Sequence, residues 1–101
     1  MKQTEFVVIL DDRVRKRHVH TVEKGEVVNF AVQLEVFVKG AWKTVIRYDC
    51  AHGFSHIDKY DIHGNKTKEL LNLSYKNALT MADYDLNNNW EKYVKHFIKT
   101  V

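Results

Sequence analysis

The stretch Arg47-Tyr48-Asp49-Cys50-Ala51-His52-Gly53-Phe54-Ser55-His56-Ile57-Asp58 gathers one arginine, two aspartates and two histidines around a single internal glycine. Imidazoles and carboxylates at such close spacing can bind a divalent transition metal, serve as acid, base and orienting groups, or simply hydrogen-bond one another. His52 and His56 stand four apart with Asp49 and Asp58 outside them. That histidine spacing is a strong metal signal only on a helix, and Gly53 argues for a loop, so the set is read as working without a cofactor. As acid–base groups His52 and His56 can exchange protons and Arg47 can supply a cation, with Asp49 and Asp58 completing the group. The structural alternative is a hydrogen-bonded network in which Arg47 forks onto a carboxylate and relieves the repulsion between Asp49 and Asp58.

A second cluster, Arg13, Arg15, Lys16 and Arg17 with His18 and His20, is the basic one. Such a run is either a solvated face or a phosphate-binding one. Strand alternation would line Arg13, Arg15 and Arg17 along one edge, suited to a nucleic-acid backbone. Tyr48, Trp42 and Trp90 read as core, and Cys50 as a small buried hydrophobe with no neighbour that would make it a nucleophile.

The elements that must position these groups are legible from their periods. Residues 5–10 are β-branched and aromatic and end at the turn signal Asp11-Asp12; residues 13–20 return as a charged strand that suits a sheet edge. Phe30, Val32, Leu34, Val36 and Val38 alternate with polar residues, Gly40 reverses the chain, and Trp42, Thr44, Ile46, Tyr48 and Cys50 alternate on the way back. Matching apolar with apolar pairs Val38 with Trp42, Leu34 with Ile46, Val32 with Tyr48 and Phe30 with Cys50. Residues 56–62 form the next strand, with Cys50 opposite Ile57, Asp49 opposite Asp58 and Arg47 opposite Tyr60; Thr67–Leu73 form a short last one. From Ser74, a capping residue, Leu79, Ala82, Leu86, Trp90, Tyr93, Phe97 and Val101 recur at three- and four-residue steps. Asn87-Asn88-Asn89 is poor helix sequence inside that stripe. The expected fold is therefore α+β: an antiparallel meander sheet of five to six strands, covered on one face by a long C-terminal helix.

A chain of 101 residues with 45% hydrophobic and 29% charged residues is one globular domain, residues 1–101. Its formal charge of +3 permits contact with nucleic acid without requiring it. No apolar run approaches the roughly 20 residues of a membrane span, and the first residues lack a signal peptide's apolar centre. With Cys50 as the single cysteine, no internal disulfide forms, which fits a reducing cytoplasm.

Arg47, Tyr48, Asp49, Ala51, His52, Gly53, His56 and Asp58 resemble the signature of a family of small uncharacterised prokaryotic proteins. Asn77–Ala82 and Asn89-Trp90 look like the same family, which brings no established activity. More distantly, Arg47-Tyr48-Asp49 on a strand followed by histidines resembles the toxins of prokaryotic toxin–antitoxin pairs. That resemblance implies a small cytoplasmic protein acting on RNA and held by a cognate antitoxin. Two readings follow. One is a metal-independent ribonuclease using Arg47, Asp49, His52, His56 and Asp58, with phosphates on Arg13, Arg15 and Arg17. The other is a non-catalytic interaction module, a toxin–antitoxin partner or homodimer, in which the same cluster is structural and the partner covers Phe37 and the polar sheet face.

Overall fold

A computed structural model describes residues 1–99. Six strands run in sequence order: β1 (Lys2–Asp11), β2 (Val14–Glu23), β3 (Glu26–Val38), β4 (Ala41–Asp49), β5 (His56–Tyr60) and β6 (Lys66–Leu70). Every neighbour is antiparallel, and the sheet order is β1-β2-β3-β4-β5-β6. A single 25-residue helix, α1 (Tyr75–Lys99), follows and packs mainly on β3 and β4. The α+β meander is as the periodicities predict. In the β2–β3 and β3–β4 turns, Lys24-Gly25 and Lys39-Gly40 are all at positive φ. Two successive left-handed residues match the right-handed twist of the strands they join, and glycine in the second place makes that conformation accessible.

The core is built from alternate residues of β3 and β4 under the helix. Phe30, Val32, Leu34, Ile46 and Tyr48 meet Ala78, Ala82, Leu86 and Phe97, all buried. Two alanines on the helix seam remove side-chain bulk where α1 crosses the sheet, which permits close approach. Leu79 and Trp90 flank this seam and are only partly buried, so the expectation of a fully buried Trp90 is corrected. Val101 lies outside the described residues. Ser74 caps the helix through its Oγ, which accepts from Asn77 N at 3.1 Å.

Helix α1 also runs unbroken through Asn87–Asn89. Each of these side chains has a partner. Asn87 Oδ1 accepts from Lys16 Nζ at 2.8 Å, Asn88 Nδ2 donates to Tyr84 O at 2.7 Å, and Asn89 Nδ2 donates to Asp85 Oδ1 at 2.8 Å. Tertiary and local hydrogen bonds here override weak propensity.

The register departs from expectation in two places. Val32 faces Tyr48 and Leu34 faces Ile46, but a bulge follows: Glu35 pairs with Thr44, leaving Val45 extra, and Phe37 pairs with Trp42. An extra residue on one strand flips everything beyond it to the other face. Trp42 thus leaves the core, is 37% exposed, and meets Phe37 edge-on at 5.4 Å on the face away from the helix. Further on, Tyr48 pairs with Ile57, Asp49 with His56 and Arg47 with Asp58. This is a two-residue shift from the expected pairing, so side chains keep their face while every partner changes. The cause is the connection Cys50–Ser55, which includes a short 3-10 turn at Ala51–Gly53 and is longer than a tight hairpin.

Candidate functional site

On the face away from α1, cross-strand pairing sets out a row of side chains over all six strands: Val7, Arg17, Gln33, Arg47, Asp58 and Lys68. The neighbouring row ends in Ala31, Asp49, His56 and Leu70. Strand period two places Arg47, Asp49, His56 and Asp58 together at the β4–β5 junction.

Asp49 and Asp58 do not confront each other, because His56 stands between them. Its Nε2 lies 2.6 Å from Asp49 Oδ1 and 3.6 Å from Asp58 Oδ2. Its Nδ1 lies 3.3 Å from the carbonyl of Phe54, whose ring is tilted against the imidazole at 5.7 Å. Arg47 Nε donates to Asp49 Oδ2 at 2.6 Å, and Ala51 N donates to Asp49 Oδ1 at 3.2 Å. Asp49, His56 and Asp58 are all buried, His56 to 1% exposure, although they lie on the side without a helix. Asp58 Oδ1 is buried with no hydrogen-bond partner among the described residues.

From Arg47 the network continues towards β2. Arg47 Nη1 donates to Gln33 Oε1 at 2.7 Å, the Gln33 amide donates to Glu35, and Arg15 Nε meets Glu35 Oε1 at 2.5 Å. Arg15 is in turn stacked over Trp42, its guanidinium 3.8 Å from the ring centroid. One chain of charge-assisted contacts thus spans β2 to β5.

His52 is the member of the expected group that does not join. It sits at φ +72° in the 3-10 turn, exposed, with no hydrogen bond or ion pair to the cluster. Nor do Arg13, Arg15 and Arg17 form a free edge. Strand β2 is paired on both sides; Arg13 lies in the β1–β2 turn beside Phe37, Arg15 is engaged by Glu35, and Arg17, 3.8 Å from Glu35, is the more open of the pair. Arg17 and Arg47 do share a shallow cavity of about 120 Å³ with Glu5 and Gln33. Cys50 fits the sequence reading: it is buried between Asn29 and Phe30, and burial pushes its thiol up.

Two polar clusters under the helix were not foreseen. Lys16 is 4% exposed and its Nζ reaches Asp83 at 3.1 Å as well as Asn87, while His18 Nδ1 lies 3.4 Å from Asp83 and its Nε2 2.6 Å from His20. In the other, Tyr48 and Tyr93 both donate to Asp85, at 2.6 Å and 2.8 Å. Burial, and after it the bond to Asp85, pushes both phenols well up, so they remain donors. The available signal was alternation itself, since Lys16 and His18 continue the period of Val14. The matching signal on the helix is Asp83 and Asn87, each next to a core residue of the seam.

The first of these clusters predicts a pH response. Burial, partly offset by Asp83, holds the His18 imidazole below its ordinary 6.5. The unfolded chain therefore binds this proton more readily than the folded one. Stability is fully present above the unfolded value and is lost as pH falls through it towards the lower folded pKa. Melting temperatures measured from about pH 8 down to about pH 5 should decline below pH ~6.5, and His18→Gln should flatten that decline.

Fold and site together define a small α+β domain with an open, charged sheet face centred on a buried His–Asp–Asp cluster. The chain belongs to the family described as a domain of unknown function (DUF7718), whose model matches residues 1–101. No curated protein and no solved structure matches the chain. No helix among the described residues is long and apolar enough to cross a membrane.

Proposed function

We propose that this protein is a non-catalytic interaction module that self-associates through the open edge of its sheet. The observation that carries this reading is strand β1. Among the described residues it pairs only with β2, and its centre is the unbroken apolar run Phe6-Val7-Val8-Ile9-Leu10. Phe6, Val7 and Ile9 are 42%, 46% and 69% exposed. The opposite edge, β6, is short and carries Lys66, Lys68 and Glu69. Charge, brevity and bulges blunt a sheet edge against pairing; β1 has neither charge nor brevity along this run, and its one irregularity comes at its end, at Leu10.

The partner that fits is a second copy. In antiparallel pairing, opposed residues share a face, so a two-fold axis at Val7 sets Phe6 against Val8, Glu5 against Ile9 and Gln3 against Asp11 of the copy. No like charges meet in that register. An axis at Val8 would bring Glu5 against Asp11 and is disfavoured.

The buried cluster fits this reading better than it fits catalysis by two histidines. His56 is enclosed and His52 stands apart, so base and acid do not share one accessible site. What favours contact with RNA is the Arg17–Arg47 cavity, which has the charge for a phosphate.

Light scattering or sedimentation of the full-length protein at micromolar concentration should give a dimer, and Val7→Lys with Ile9→Lys should give a monomer. The melting temperature of that variant should change little beyond the loss of the dimer, because both side chains are exposed in the single chain. A parent protein that stays monomeric at every concentration sinks the proposal. RNA cleavage by the parent that is abolished by His56→Ala would move the assignment to the ribonuclease reading.

A further inference from the structure

We infer that Asp49, His56 and Asp58 form a binding site for one first-row divalent cation such as Zn²⁺. The three side chains offer a nitrogen and two carboxylate oxygens within 4.8 Å of one another, all from buried residues. Donor atoms around such an ion, at ~2.0–2.2 Å from it, lie about 3–4 Å apart. The 3.6 Å between His56 Nε2 and Asp58 Oδ2 already falls in that range. The 2.6 Å contact to Asp49 has to open by only about half an ångström.

The tautomer of His56 points the same way. Its Nδ1 faces the Phe54 carbonyl at 3.3 Å, and a carbonyl can only accept, so Nδ1 carries a proton. In the neutral ring Nε2 then presents a lone pair to two carboxylates, which is repulsive unless a proton or a cation lies between. A ring nitrogen held to a backbone carbonyl while the other faces outward is the usual posture of a metal-binding histidine.

A proton on Nε2 satisfies only part of the cluster. It can bond Asp49 at 2.6 Å, but Asp58 at 3.6 Å is beyond hydrogen-bond reach. Asp58 Oδ1 then stays buried without a partner. Lys68 pairs with Asp58 across the strands, yet it is exposed and makes no ion pair with it. A buried carboxylate oxygen without a hydrogen bond is costly. A divalent cation engages both carboxylates at once and supplies the partner that Asp58 Oδ1 lacks. The imidazole nitrogen favours zinc, iron, nickel or copper over magnesium, calcium and manganese, which prefer oxygen donors. Arg47 and Ala51 N orient Asp49 from behind. Such an ion ties β4 to β5 where the Cys50–Ser55 loop interrupts their ladder.

The test uses the full-length protein, stripped with a chelator and titrated calorimetrically with Zn²⁺ alone, Mn²⁺ alone and Mg²⁺ alone. Zn²⁺ should bind at one ion per chain and Mg²⁺ should not compete. His52→Ala should leave the affinity unchanged. The isosteric Asp58→Asn should lower it by more than the ~10–100-fold that follows loss of an outer partner. Imidazole ¹⁵N spectra of the parent decide the matter without any variant. Zinc should move the His56 Nε2 resonance while Nδ1 keeps its proton. Nε2 protonated and indifferent to zinc, or zinc affinity equal in Asp58→Asn and parent, would overturn the site.

Discussion

Replacing Phe30 by alanine should cost about 3–5 kcal/mol of folding stability, the penalty for emptying a large, enclosed aromatic site. Phe30 is 1% exposed, its ring meets Tyr75 edge-on at 6.0 Å, and Cys50 fills the space beside its backbone. Nothing nearby can collapse into the void, because β3 is held by strands on both sides and covered by α1. For a domain of this size the loss corresponds to a fall in melting temperature of more than ~10 °C. Trp90→Ala is the matched control. It deletes a larger side chain from a partly buried position, so its cost should be smaller, within the ordinary range of ~0.5–3 kcal/mol. Urea denaturation of both variants checks the order. A larger loss at Trp90 than at Phe30 would mean that the helix seats on the sheet differently from the arrangement described.

Asp85→Ala should be the most damaging polar substitution, at about 2–4 kcal/mol. One carboxylate accepts from Tyr48 on β4 and from Asn89 and Tyr93 on its own helix, so it joins α1 to the sheet. Tyr48 is 1% exposed and cannot turn its hydroxyl to water. Truncating the acceptor leaves that donor buried and unpaired, which costs more than the bond itself contributed. Asp85→Asn keeps an acceptor oxygen and should recover much of the loss. Tyr48→Phe in the Asp85→Ala background should also restore stability, since it removes the stranded hydroxyl. Thermal melts of the three variants test this. Additive losses from Tyr48→Phe and Asp85→Ala would show that the two groups do not act as a pair.

The chain's local chemistry determined the meander, the single long helix, the Ser74 cap and the central pairing of Val32 with Tyr48 and Leu34 with Ile46. Each of these depends on period and short-range steric preference, which a linear sequence carries in full. The common face of Arg47, Asp49, His56 and Asp58 was legible for the same reason: odd and even shifts of register have different consequences, and the shift at β4–β5 was even.

Tertiary structure decided the rest. The bulge at Val45 turned Trp42 out of the core, and its insertion depends on how two strands twist together rather than on either sequence. The partners within the cluster were set by the length of the Cys50–Ser55 loop, which brought His56 between two aspartates and left His52 exposed. The burial of Lys16 and His18, to which only the alternation from Val14 pointed, was decided when α1 brought Asp83 and Asn87 over them. A charge reads as surface until a distant carboxylate arrives to pair with it, and that arrival is a property of the packed helix, not of the strand.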